Sequence, residues 1–182
     1  MVNELVEIVS ELQRRVRVLE DHIALYQSLG AYGPAVDSME LRTAVDGWEP
    51  DGVYDLGDGF PDIDGGRGLL VLQGHAEILR MLESPVHGDF VDQGCAHVMS
   101  LPLVRIDGDR AVGIGYHRVY AHGENGAYVG KLSASRIEWR RQDSGEWKIV
   151  RRTHRLIDGR EQGRNLLRDS LREILESDEA PG

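Results

Sequence analysis

Two histidines, His97 and His117, have the residue type and spacing to support acid–base chemistry. They belong to two stretches of alternating apolar residues, 95–106 and 110–121, on either side of Asp107-Gly108, a pair typical of a hairpin turn. Because both histidines lie far from the turn, we expect them at comparable heights on neighbouring strands. An imidazole titrates near pH ~6.5, so two on one sheet face predict a proton-transfer site.

The strand that carries His117 has two contrasting faces. Ala111, Gly113 and Gly115 share the face of His117, and a face with so little side-chain volume either packs against backbone or walls a cavity. The position of His117 on this face favours a cavity. The alternative is a histidine held by hydrogen bonds beneath a helix.

Composition narrows the class of protein. The chain has 182 residues, 41% of them hydrophobic, and a net charge of -10, which predicts one domain and argues against binding a nucleic-acid backbone. The sequence has no apolar run of ~18 residues and no signal-peptide pattern at its start, so we expect no membrane partner and a cytoplasmic location. The single cysteine, Cys95, excludes an intrachain disulfide and is expected to be a small buried residue.

The first 40 residues predict a long helix followed by the capping box of a second helix. Residues 3–30 carry a stripe of apolar residues in alternating steps of four and three, which indicates an amphipathic helix or a coiled-coil seam that favours oligomers: Leu5, Val9, Leu12, Val16, Leu19, Ile23 and Tyr26. Gly30, Gly33 and Pro34 are expected to end or bend this helix. Asp37 followed by Glu40 matches a capping box of the next helix, with a catalytic role as the alternative.

The rest of the chain predicts an α+β protein. A short strand at 53–56 places Tyr54 and Leu56 on one face, a glycine-rich surface loop follows at 57–68, and a helix spans 74–82. Residues 94–157 read as a four-stranded antiparallel meander, and 161–176 as a closing helix before a frayed tail. The aspartates at 55, 58, 62 and 64 do not match a calcium loop, so we expect no metal there and consider the loop a lid.

The last strand leaves one question open. Alternation puts Trp147 and Ile149 on one face with Arg151, and Arg152 with His154 on the other. A bulge would exchange these faces, so either arginine could point into the pocket. Our candidate is Arg152.

The order of these elements resembles the fold of nuclear transport factor 2-like proteins. Within it, residues 12–157 resemble the SnoaL-like dehydratase branch, which includes scytalone dehydratase and bile-acid 7α-dehydratase. The resemblance is carried by Arg15-x-x-x-Leu19-Glu20-Asp21, by Tyr32 with Val36-Asp37-Ser38, by His97, and by Gly113-Ile-Gly-Tyr-His117. It implies a cone-shaped α+β barrel whose curved antiparallel sheet wraps the N-terminal helix and leaves a pocket. Residues 1–160 would form this SnoaL-like domain, and residues 161–182 a C-terminal helix and tail.

The resemblance also implies a site. Asp37, His97 and His117 fall on the family's pocket aspartate and histidines, Tyr32 on an assisting tyrosine, and Arg152 loosely on a late-strand arginine. Departures from the family pattern stand at three further positions, where scytalone dehydratase has a tyrosine, a serine and an asparagine, so scytalone itself is not the expected substrate: Leu56, Ala134 and Arg136.

These residues predict a cofactor-independent dehydratase. Asp37 would orient His97, one histidine would act as the base and the other as the acid, and Tyr32 or Tyr54 would donate to an enolate oxygen of a small, mostly apolar cyclic carbonyl compound. No metal and no organic cofactor is required. An isomerase or cyclase would use the same residues, and a non-catalytic binding domain is the third possibility. The family suggests a homodimer or homotrimer formed through the outer sheet face, which carries Val112, Ile114, Tyr116 and Tyr120.

Overall fold

A computed structural model describes residues 2–61 and 67–176. The helices are α1 (Val2–Asp37), α2 (Leu41–Asp46), α3 (Gly74–Leu82), α4 (Pro85–Asp92) and α5 (Glu161–Glu176). The strands are β1 (Trp48–Pro61), β2 (Arg67–Gln73), β3 (Cys95–Met99), β4 (Leu103–Asp107), β5 (Arg110–Gly123), β6 (Gly126–Arg141) and β7 (Trp147–Leu156). The α+β class is therefore confirmed, and α3 and α5 have the predicted bounds.

Helix α1 runs through the predicted break. Pro34 lies inside the helix, where it removes one backbone N–H, yet Leu29, Tyr32 and Val36 around it are all buried in the core. Their burial outweighs the local cost of the proline, since apolar burial contributes roughly 1.5–3 kcal/mol per large side chain. The helix ends at Asp37, after which Met39 adopts a positive φ of 62°.

The predicted capping box is wrong. Asp37 is the last residue of α1, and the residue before α2 is Glu40, whose side chain makes no capping hydrogen bond. The carboxylate of Asp37 is instead used in a contact with a strand far along the chain. The residue types match a capping box, but Asp37 makes a tertiary contact instead of capping α2.

The sheet is curved and mixed, and it does not close into a barrel. Its order is β2-β1-β7-β6-β5-β3, and β4 also pairs with β5. The expectation of an antiparallel barrel is corrected at one junction, because β1 pairs in parallel with β7. The predicted surface loop at 57–68 is largely strand, in β1 and β2, and only its centre, residues 62–66, lies outside the described residues.

The first arm of the predicted hairpin at 95–121 is divided into two short strands, β3 and β4, and both pair with the long second arm, β5. The chain between them bends at Ser100, whose hydroxyl accepts a hydrogen bond from the backbone N–H of Tyr116 at 2.8 Å. His97 stands opposite Val119, and His117 opposite Met99. The two histidines are therefore diagonal neighbours on the same face rather than directly opposite.

The two glycines of this face of β5, Gly113 and Gly115, do not wall a cavity. A side chain added at Gly113 would meet the ring of Trp139, and one added at Gly115 would meet Ser100 and Pro102. The inner face is filled there by an aromatic ring and by the bend before β4. The open space lies further along the same face, beside His117.

Helix α5 lies on the outer face of the sheet. Arg136 of β6 pairs with Glu173 at 2.7 Å, and Ile174 is buried. Ile114, which we assigned to an outer oligomer face, is also buried at 4% exposure, whereas Tyr116 is 40% exposed. Among the described helices, none is long and apolar enough to cross a membrane.

Candidate active site

The site begins where the end of α1 meets β3. One carboxylate oxygen of Asp37 lies 2.6 Å from Nδ1 of His97, and the other accepts the backbone N–H of His97 at 2.8 Å. A carboxylate accepts, so Nδ1 carries the proton and the lone pair of Nε2 is directed to the pocket. This is the arrangement of an oriented general base.

Two features keep the Asp37–His97 pair in place. A side chain at Gly33 would overlap the carbonyl oxygen of His97, so only glycine lets α1 approach β3 closely enough. Burial would raise the pKa of Asp37, but the hydrogen bonds and charge of His97 outweigh burial and lower that pKa below its usual value. The aspartate therefore remains a carboxylate and an acceptor.

Cys95 lies beside this pair. Its thiol is 3.5 Å from Asp37, and burial together with the Asp37 charge raises the pKa of Cys95 to about 11. Donor atoms of Asp37, Cys95 and His97 lie within 4.8 Å of one another, a spacing that could hold a metal ion. An ion there would have to displace the 2.6 Å bond between Asp37 and His97, and the hydrogen bonds already account for the cluster.

Four histidine rings follow one another through the site, and we name them the histidine row: His87, His97, His117 and His154. Their successive ring centroids are 5.9, 5.7 and 4.7 Å apart. The rings of His97 and His117 are stacked, with an angle of 21° between their planes. The sequence-predicted pair is therefore the centre of a longer series.

Most of the histidine row is held neutral. Burial, and then the charges of Arg152 and a neighbouring histidine, place the pKa of His117 and of His154 well below 6.5. Burial also lowers the pKa of His87, although its Nδ1 donates to the carbonyl of Leu82 at 2.7 Å. The Nε2 atoms of His87 and His117 are buried without a hydrogen-bond partner among the described residues, so their hydrogen-bonding capacity is unused there.

Tyr32 and Tyr54 both lie next to Arg152, and the ring centroid of Tyr54 is 5.3 Å from that of His154. The guanidinium of Arg152 lies 4.5 Å from the ring centre of Tyr32 and 5.5 Å from that of Tyr54. Burial, and then Tyr54, raise the pKa of Tyr32 well above 10. Tyr32 therefore keeps its proton and can donate a hydrogen bond.

A bulge in β7 decides which arginine faces inward. Trp139 pairs with Ile149 and Glu138 with Arg151, which leaves Val150 as the extra residue. Strict alternation fails there, so Trp147 and Ile149 share the inner face with Arg152 and His154, and all four are buried. Arg151 points outward to Asp55. Arg152 is fully buried, in contact with the sulfur of Met99.

These side chains surround a pocket of about 230 Å³. Among the predicted site residues, those in its lining are Tyr32, Tyr54, Leu56, His97 and His117. The rest of its lining comes from α3, α4, a residue between them and three strands: Leu70, Met81, Leu82, Ser84, Val86, His87, Phe90, Val119 and Lys131. Arg152 is not on the pocket wall and reaches a ligand only through its charge.

Sequence reasoning missed three residues of the site. His87 lies on α4, a short helix that begins at Pro85 directly after the predicted helix at 74–82 and that the sequence does not predict. Alternation places His154 on the same strand face as Arg152, but it does not decide whether that face points into the pocket. Lys131 faces the pocket opposite Val119, and burial lowers the pKa of Lys131. An N-capping serine before proline was the available signal for α4.

The predicted aspartate cluster at 55–64 is only partly within the described residues. Asp55 pairs with Arg155 at 2.8 Å, and Asp58 with Arg160 at 2.6 Å. Both carboxylates therefore have structural roles in ion pairs. Asp62 and Asp64, and the centre of the predicted lid, lie outside the described residues.

Comparison with solved structures agrees with this architecture. An NTF2-like protein with a cystatin-like fold from Novosphingobium aromaticivorans is 29% identical, with a TM-score of 0.78 over 87% of this chain and 96% of that one. A hexachlorocyclohexane dehydrochlorinase from Novosphingobium barchaimii shares the fold at 16% identity, with a TM-score of 0.63 over 79% and 90% of the two chains. A comparison with curated proteins gives no match.

The fold is therefore that of the nuclear transport factor 2-like class. Residues 17–153 match the model of the SnoaL-like domain. The chain belongs to the SnoaL-like family, as its sequence resemblance predicts.

Proposed function

We propose that the pocket removes water from a small, hydroxylated, mostly apolar cyclic carbonyl compound without a cofactor. The observation that carries this proposal is the Asp37–His97 pair, whose histidine ring lines the pocket. A base oriented by a carboxylate is suited to removing a proton next to a carbonyl group. Asp37 stabilises the imidazolium that forms.

The electrons of the broken C–H bond move to the carbonyl oxygen and form an enolate. The hydroxyl of Tyr32 or Tyr54 donates a hydrogen bond to this oxygen, and the buried charge of Arg152 next to both rings favours the negative charge that develops there. Donors and charges fixed before the reaction stabilise the transition state more than water does. The raised pKa of Tyr32 supports donation without proton loss.

The second step expels the hydroxyl group. The enolate re-forms the carbonyl, a carbon–carbon double bond forms, and the C–O bond breaks as the hydroxyl takes a proton. The low pKa of His117 argues against a resident imidazolium there, so His117 holds the departing oxygen by a hydrogen bond. The proton returns from the His97 imidazolium, which leaves His97 neutral and releases one water.

The pocket lining supports the expected substrate class. Six hydrocarbon side chains and the thioether of Met81 line it. Its volume of about 230 Å³ is below the range of roughly 300–1,000 Å³ for drug-sized ligands. A single small ring with few polar groups matches this space. The ring would lie between the tyrosines and His97.

An isomerase or cyclase is the second candidate. It needs the same base and the same enolate donors but no acid for a leaving group, and the neutral state of His117 favours it. Product mass separates the two reactions, because dehydration loses one water and isomerisation leaves the mass unchanged.

The test is a panel of small cyclic β-hydroxy ketones followed by mass spectrometry. We expect loss of water with the native chain and a decrease of about 10³–10⁴-fold in kcat for Asp37→Asn, because the amide no longer stabilises the imidazolium. Cys95→Ala is the control, since it removes a neighbour of Asp37 without touching His97. Equal activity of Asp37→Asn and the native chain would refute the role of the pair, and binding without turnover would indicate a binding domain.

A further inference from the structure

The N-terminal part of α1 stands clear of the domain. Residues 2–20 are all exposed, and Asp21 is the first buried residue of the helix. At 1.5 Å per residue this segment is about 28 Å long. Seven residues of its apolar stripe are each at least half exposed, which is unusual for an isolated surface helix: Val2, Leu5, Val9, Leu12, Val16, Leu19 and Ile23.

The residue types along this stripe follow a heptad rule. Counted in sevens, Val2, Val9, Val16 and Ile23 occupy the a positions, and Leu5, Leu12, Leu19 and Tyr26 the d positions. All four a residues are β-branched, and three of four d residues are leucine. This combination favours parallel two-stranded coiled coils over trimers.

The domain itself does not cover the stripe. The helix packs on its own domain through a different side, formed by Asp21, Leu25, Leu29, Tyr32 and Val36. Ile23 remains 58% exposed although its neighbour Asp21 is buried. The stripe is therefore accessible along the whole of residues 2–23.

The charges beside the stripe match a second copy of the same helix. In a parallel pair, the g residue of one helix faces the e residue five positions later on the other. Arg15 is a g residue and Glu20 the matching e residue, so two opposite-charge pairs form by symmetry. Within the described chain neither residue makes an ion pair, whereas Arg14 pairs with Glu11 at 2.6 Å.

We propose that residues 2–26 of two copies of this chain form a parallel, in-register coiled coil that makes the protein a dimer. The a and d side chains of each copy fill the space between the helices. Arg15 of each copy pairs with Glu20 of the other. This dimer is independent of the proposed reaction, because the pocket lies beyond the exposed part of α1.

The first experiment compares two aspartate substitutions by analytical ultracentrifugation of the full chain. Val16→Asp buries two charges at an a position and should give monomers. Val18→Asp is the matched control, because Val18 is 41% exposed but lies off the stripe, and it should remain dimeric. Circular dichroism should show the same folded domain in both. A native chain that is monomeric or trimeric, or equal behaviour of the two variants, overturns the proposal.

The second experiment tests orientation. Val9→Cys should form an interchain disulfide on oxidation, because identical a residues meet only in a parallel, in-register pair, while Val18→Cys should not. Arg15→Glu should weaken the dimer at least several-fold, and Arg15→Glu with Glu20→Arg should restore it. A dimer that fails to cross-link through Val9→Cys contradicts the parallel arrangement.

Discussion

The contact of α1 with β3 at Gly33 can be tested by adding one carbon atom. In Gly33→Ala, the new Cβ would lie well inside 3.0 Å of the carbonyl oxygen of His97, which is backbone and cannot rotate away. The helix must withdraw from the strand. The two hydrogen bonds from His97 to Asp37, at 2.6 and 2.8 Å, lie one turn further along the same helix and would lengthen or break.

The expected cost follows from these contacts. Overpacking of a well-packed site costs about 1–3 kcal/mol, and hydrogen bonds to charged groups contribute about 1.5–3 kcal/mol each. We expect Gly33→Ala to lower the free energy of unfolding by about 4–9 kcal/mol if both hydrogen bonds are lost. Gly30→Ala is the matched control in the same helix, since nothing lies within 4 Å of its added Cβ. It should raise stability by about 0.5–1 kcal/mol.

Urea unfolding of both variants, monitored by circular dichroism, measures these energies. A double-mutant cycle adds a sharper test, because Asp37→Asn should cost little in a Gly33→Ala background where the bonds are already lost. Two glycine variants with equal stability, or full additivity of Gly33→Ala with Asp37→Asn, would refute the close-approach explanation.

Three further predictions concern buried charges and proton binding. His117 and His154 have folded pKa values below their unfolded value of about 6.5, so the stability they contribute is present above that pH and lost as pH falls. Urea unfolding should show a loss of about 1.4 kcal/mol for each from pH 7.5 to 5.5, and a flat profile would contradict their burial as neutral rings. Arg152→Met should change stability by no more than about 1 kcal/mol, because the guanidinium has no carboxylate partner among the described residues. It should also raise the pKa of His117, measured by NMR titration, and an unchanged titration would exclude an effect of the Arg152 charge. Asp21→Asn should cost about 1–3 kcal/mol, since it removes one of the two carboxylates that pair with Arg141 and a charged acceptor from Trp147, while Asp109 still pairs with Arg141; an unchanged free energy of unfolding in urea would show that the network is dispensable.

The sequence predicts those parts of the fold whose signals are local. Helix α5 and the strand β6 follow from periodicity and from the turns beside them. The parallel pairing of β1 with β7 could not be predicted, because parallel strands leave no turn between them to read. The continuity of α1 through Pro34 depends on buried neighbours that no local rule includes.

The candidate site also contains residues that the sequence predicts and residues that it does not. Family resemblance brought Asp37 and His97 together, although local reasoning gave Asp37 an equally good role as a cap. The bulge at Val150 puts Trp147 and Ile149 on the same face as Arg152, which strict alternation does not predict, and no residue in that segment signals the bulge. His87 was missed because α4 is short and its start coincides with the end of α3.

The pairing of β1 with β7 has a consequence for how the protein comes to be folded. Asp55 and Arg155, which join these strands, are 100 residues apart in the chain. Closing so large a loop is slow and entropically costly, so this junction is expected to form late. During synthesis, Tyr54 can contact Arg152 and His154 only after β7 has been made. Asp37 and His97 are only 60 residues apart and can meet earlier. Asp37 can therefore orient His97 on a nascent chain before Arg152 and His154 of β7 have left the ribosome.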